Sequence, residues 1–153
     1  MCTIGLTALL AACSSPAHRA STPTPTSSTT TTTSPEVRTP VLGRVWGPGG
    51  QKGYGSARPA LIFNGGDPTG LVEDVRWQSW GGVRAIGSGY SYYPHASVAD
   101  STREPVTVVA FDLSQCRGIP AYTAIEWYFP EHGERFDPNN YINVCTGDYV
   151  GSP

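Results

Sequence analysis

Residues 106–113 read Val-Thr-Val-Val-Ala-Phe-Asp-Leu, and residues 121–129 read Ala-Tyr-Thr-Ala-Ile-Glu-Trp-Tyr-Phe. The first run is β-branched and apolar on nearly both faces, the pattern of a central strand. The second alternates, and successive side chains of a strand point to opposite faces. Ala121, Thr123, Ile125, Trp127 and Phe129 therefore share one face, which reads as core. Tyr122, Ala124, Glu126 and Tyr128 share the other, which reads as the solvent side. Gly118-Ile119-Pro120 between the two runs is a turn signal.

Working outward, Leu71–Trp77 is a third strand, with Leu71, Val75 and Trp77 on one face and Asp74 and Arg76 opposite. Glu73 points inward by this count and is the misfit. Ala60–Phe63 and Tyr141–Cys145 are short candidates. Residues 83–93 are a Gly-broken sixth, ending in Tyr90, Tyr92 and Tyr93. Turn residues punctuate these runs at Gly65–Gly70, Trp80-Gly81-Gly82 and Asp137–Asn140. The stretch from Pro94 to Pro105 has room for one helical turn, but not for the crossover that a parallel sheet demands. The pattern predicts a mainly β domain, a small antiparallel sandwich or barrel. The alternative is an α+β domain with a helix near residues 95–104 or after Pro130.

Composition agrees. Of 153 residues, 18 are Gly and 14 are Pro, and only 14% are charged. That disfavours helical bundles and coiled coils. A nucleic-acid binder usually shows a basic face, and with a net charge of −2 no nucleic-acid partner is expected.

The amino-terminal third is a different polymer. Residues 1–12 read as a short signal peptide that lacks a positive n-region, and we expect the true start upstream. Leu10-Ala11-Ala12-Cys13 resembles the lipobox of bacterial lipoproteins, which implies cleavage before Cys13 and diacylglyceryl modification of its thiol. Two acyl chains suffice for stable anchoring. Residues 14–40 hold 6 Ser, 9 Thr and 5 Pro and no aromatic residue, too little apolar surface to offset the entropy of ordering. Residues 13–42 are expected to be a lipidated, disordered tether. All 16 aromatic residues fall between Trp46 and Tyr149, so residues 43–153 are the expected globular domain.

With Cys2 removed and Cys13 lipidated, Cys116 and Cys145 remain. A lone pair in an exported domain is normally a disulfide.

Three clusters are candidates for function. Asn64–Gly70 is Gly-rich but lacks the Gly-Lys-[Ser/Thr] of a phosphate loop, and Asp67-Pro68-Thr69-Gly70 reads first as a turn. Trp77-Gln78-Ser79-Trp80 places two indoles on opposite faces of a straight strand. Trp80, with Tyr90 and Tyr92 sharing parity on the next run, is then a solvent-facing patch suited to an envelope glycan or lipid. A β-bulge at Ser79 would turn Trp80 inward instead. The third cluster surrounds Glu126, Glu131, His132 and Glu134, where carboxylates beside a His suit acid–base work. The spacing matches no zinc motif. We expect no metal and no cofactor.

The runs Phe63–Gly70, Trp77–Gly82, Ala85–Gly89, Thr107–Cys116 and Ala121–Pro130 together resemble a group of exported proteins and lipoproteins of actinobacteria. The likeness spans about residues 58–150. It implies an extracytoplasmic location and a shared domain, and it carries over no site residue. The expected function is a lipid-anchored binding or scaffolding module on the outer face of the cell membrane. The alternative is a hydrolase of an envelope polymer, which requires Glu126, Glu131, His132 or Asp67 to converge.

Overall fold

The computed structural model describes residues 38–151, Pro48 excepted. The expected signal peptide, Cys13 and almost all of the expected tether lie outside these residues. Eight strands form one sheet: β1 (Val41–Leu42), β2 (Ile62–Phe63), β3 (Leu71–Trp77), β4 (Ala85–Tyr93), β5 (Thr102–Cys116), β6 (Ile119–Tyr128), β7 (Tyr141–Asn143) and β8 (Tyr149–Val150). The ladder runs β2-β3-β4-β5-β6-β7-β8, every pair antiparallel, while β1 adds parallel to β6.

The mainly β expectation holds, as a curled half-barrel. The curl is visible in the core. Ile62, Val72 and Val75 from one end of the ladder share a single cluster with Leu42, Tyr122, Ile125 and Val144 from the other. Strands so distant in the ladder meet only if the sheet wraps around its inner face. The only helical pieces among the described residues are three-residue 3₁₀ turns at Pro68–Gly70, Val98–Asp100 and Pro130–His132.

β5 and β6 form a long hairpin closed by Arg117 and Gly118, both at positive φ. Two positive-φ residues make the turn whose twist matches the flanking strands. The expected turn therefore sits one residue early, and Ile119 and Pro120 are strand. β5 also begins earlier than expected, at Thr102. Pro105 is tolerated inside it because β6 reaches only to Thr107, leaving that edge without a ladder to break.

The disulfide joins Cys116, at the hairpin tip, to Cys145, just past β7, with Cα atoms 5.5 Å apart. Closing a loop of 29 residues contributes about 3.6 kcal/mol by chain entropy.

Two expectations about faces need correction, and one about the boundary. Val41 and Leu42, expected at the end of the tether, are a strand paired with Ala121 and Tyr122, and Leu42 is fully buried. In β3 the register shifts between Glu73 and Arg76, and Asp74 sits at φ 53°. The extra residue lets Val72 and Val75 both face the core and turns Glu73 outward, opposite Tyr90. That removes the Glu73 misfit. In β6, Tyr122 faces inward, fully buried in the main core with Leu42 and Ile125 and against Trp80, so it does not share the outer face with Ala124 and Glu126. On that outer face Glu126 is only 7% exposed. The outer face of β6 is covered, because residues 130–141 fold over it. Phe136 and Tyr141 pack there on Val109, Phe111 and Ala124 as a second small core.

Candidate binding surface

Trp80 does not belong to an exposed patch. The N–H groups of Gln78 and Ser79 both reach the Ile86 carbonyl, at 2.9 and 3.2 Å. Two residues facing one partner is a β-bulge, and it brings Trp80 to the side of Trp77. The two rings lie 4.7 Å apart, edge to face, and Trp80 meets Tyr122 at 5.2 Å. Its indole N–H donates to the Pro40 carbonyl at 2.8 Å. Trp80 is half-buried and packs on the main core.

Tyr90 and Tyr92 do lie on the outer face of β4, with Ile86 and Ser88. Alternation fixes this, since Ala85, Gly87, Gly89 and Ser91 are the buried set. Gly89 is needed where it stands, because a Cβ there would sit 2.7 Å from the Glu73 carbonyl. Tyr90 is 41% exposed and Tyr92 half-buried.

Neighbouring strands fix the Tyr90 ring. Arg103 pairs with Tyr92 across the β4–β5 ladder, and its guanidinium reaches back over the Tyr90 ring, 4.0 Å from the centroid. Arg103 is held in turn from β3, by Glu73 at 3.2 Å and Asp74 at 2.8 Å. The bulge at Asp74 is what turns both carboxylates outward. Beside this stack runs an open groove of about 480 Å³, lined by Asp74, Arg76, Ser88, Gly89, Tyr90 and Pro105. That size suits a small ligand. The groove offers one aromatic ring, a guanidinium, a carboxylate and a hydroxyl, and its orienting ion pairs exist before any ligand arrives.

Arg76, Arg103 and Asp74 were not singled out in the sequence. The signal was the Glu73 misfit, which marks the bulge that aims these side chains.

Of the four residues of the hydrolase alternative, Asp67, His132 and Glu126 are each tied to separate partners. Asp67 caps the 3₁₀ turn at Pro68–Gly70, accepting from the Thr69 amide at 2.9 Å and its hydroxyl at 2.5 Å. These bonds hold its carboxyl below the usual range. His132 stacks flat on Tyr93 with centroids 3.7 Å apart and bonds Glu104 at 2.6 Å. Glu104, bonded first by the Thr102 hydroxyl and then by His132, titrates lower than usual. Glu131 is exposed in the turn that carries His132. Glu126 lies beneath the 130–141 segment, where burial pushes its carboxyl up to about 7. Glu134 accepts from the Phe129 amide at 2.8 Å. Among the described residues no group of three or more His, Cys, Asp or Glu is placed to hold a metal ion. No helix among them is long and apolar enough to cross a membrane.

No protein-family model matches the chain, and neither does any curated protein or solved structure.

Proposed function

We propose that the protein is a lipid-anchored, extracytoplasmic binding module, and that an envelope glycan occupies the groove beside Tyr90. The observation that carries this reading is the Tyr90–Arg103 stack pinned by Glu73 and Asp74 at 3.2 and 2.8 Å. An aromatic ring with its orientation fixed by charged neighbours loses little entropy when a ligand covers it. Sugars present alternating apolar C–H faces and hydroxyls. The ring serves the first, and Arg76, Asp74 and Ser88 serve the second. An acyl chain would leave those polar groups unpaired at a cost, so a glycan fits better than a lipid tail.

Binding is preferred to hydrolysis because general acid–base work needs two titrating groups on one substrate. Asp67, Glu126 and His132 each have a different structural task. Anchoring at Cys13, and membership of an exported actinobacterial group, belong to the same proposal. The disulfide fits export, since the bond persists in oxidising compartments.

The test uses the unlipidated Cys13→Ala protein and purified envelope glycan in a sedimentation binding assay. Tyr90→Ala is expected to weaken binding about 5- to 150-fold, from about 1–3 kcal/mol of lost ring contact. Lipid vesicles retaining the protein in place of glycan would transfer the groove to a lipid ligand. Binding unaffected by Tyr90→Ala would remove the groove from the account. Intact-mass spectra of the native protein should show acyl addition that is lost with Cys13→Ala, and its absence would end the anchoring reading.

A further inference from the structure

The β6–β7 ladder pairs Ala124 with Asn143 and Ile125 with Ile142, then stops. The Asn140 amide, two positions on, turns to the Asp137 carbonyl at 3.0 Å instead of crossing to β6. The strands part, leaving an open slot of about 200 Å³ lined by Glu126, Trp127, Asn140, Tyr141 and Tyr149 beside the last paired residues, Ile125 and Ile142. Glu126 is the only buried carboxylate among the described residues. Both its oxygens share one donor, the Asp137 amide, at 3.0 and 3.2 Å. A carboxylate has about four acceptor sites, so capacity remains for a further donor. The lining residues include no Lys, Arg or His. Three of them are aromatic, and aromatic faces attract cations.

The charged groups packed around Glu126 add to this field. Glu134 and Asp137, from the covering segment, both act on its carboxyl as like charges. From β5 it faces Val109, which is uncharged. β7 and β8 contribute Tyr141 and Tyr149, the latter bonded to Asn140. The covering segment also carries His132 and Arg135, and Arg84 lies over the Phe136 ring at 4.4 Å.

We propose that this slot is a second binding site, for a small organic cation whose ammonium head forms an ion pair with Glu126 among Trp127, Tyr141 and Tyr149. This site is separate from the groove at Tyr90 and does not depend on that reading. Linkage makes it measurable. A carboxyl held up at about 7 by burial must lose proton affinity when a cation arrives, and the cation must bind more tightly as the carboxyl ionises.

The experiment follows the Glu126 carboxyl carbon by NMR across neutral pH in the Cys13→Ala protein. Methylammonium, tetramethylammonium, tert-butanol and calcium chloride are compared with sodium chloride at matched ionic strength. Either ammonium probe is expected to lower the proton affinity of Glu126 about tenfold at saturation and to shift the Asn140 and Tyr149 resonances. Glu126→Gln, which retains an acceptor for the Asp137 amide, should weaken the probe about tenfold while the spectrum stays folded. An unmoved Glu126 carboxyl would overturn the proposal. Equal shifts at Asn140 and Tyr149 with tert-butanol would show an apolar slot only, and an equal effect of calcium would show a metal site.

Discussion

Replacing Glu126 by Gln should stabilise the protein at about pH 8 and have a several-fold smaller effect at about pH 5. Glu126 is 7% exposed and accepts one N–H. Burial, then the charges of Asp137 and Glu134, push its carboxyl from 4.5 to about 7. Between those values the folded state holds a proton that the unfolded chain has released. Stability therefore falls as pH rises through that window, and the loss is complete above it. At about 1.4 kcal/mol per pH unit the shift has an upper bound near 3 kcal/mol. Water at the mouth of the slot screens part of this, so about 1–3 kcal/mol is expected. Gln keeps the acceptor for the Asp137 amide and never ionises. For a domain of this size the gain at about pH 8 corresponds to a Tm rise of roughly 3–5 °C per kcal/mol. Urea and thermal unfolding of both proteins at the two pH values supply the comparison. Asp67 and Glu104, whose carboxyls are held below their ordinary values, lose their contributions only under more acidic conditions. Wild-type stability that is flat or rising between these pH values, with Glu126→Gln running parallel to it, would refute the reasoning.

Three further outcomes follow from the packing. Trp80→Ala removes ring contacts to Trp77 and Tyr122 and the bond to the Pro40 carbonyl. It should cost on the order of 2–4 kcal/mol in urea unfolding, whereas Tyr90→Ala should cost about 1 kcal/mol or less. Reducing the Cys116–Cys145 bond should lower stability by about 2–5 kcal/mol, and non-reducing peptide mapping should recover the two cysteines as one linked pair. Gly89→Val should destabilise by about 1–3 kcal/mol or more, since any Cβ there meets the Glu73 carbonyl at 2.7 Å and Val72 at 3.2 Å. Thermal melts would register it.

The β5–β6 pair was legible because its apolar content and alternation are local properties of the chain. The outward direction of Tyr90 and Tyr92 was legible for the same reason, since β4 runs without a bulge from Ala85 to Tyr93. Trp80 was legible only as the bulge alternative at Ser79, because one extra residue at Gln78–Ser79 reverses parity and the local pattern does not decide between the two registers. Asp74, Asp112 and Arg117 adopt positive φ without being glycine, and such positions are rare enough that sequence gives little warning. Glu126 was misplaced for a non-local reason. Its face carries the one charged residue of the strand and becomes buried only when Phe136 and Tyr141, ten and fifteen residues on, fold back across Val109 and Phe111. Arg103 entered the site through the β4–β5 register, which no single-strand pattern contains.

The groove at Tyr90 is tested most directly by backbone NMR of the Cys13→Ala protein titrated with soluble envelope glycan fragments. The account predicts that the amides perturbed at the lowest ligand concentration are those of Arg76, Ser88, Tyr90 and Arg103, with Trp80 unmoved. It also predicts that Tyr90→Ala abolishes these shifts without altering the rest of the spectrum. Fragments that perturb other surfaces and leave these four residues still would contradict it.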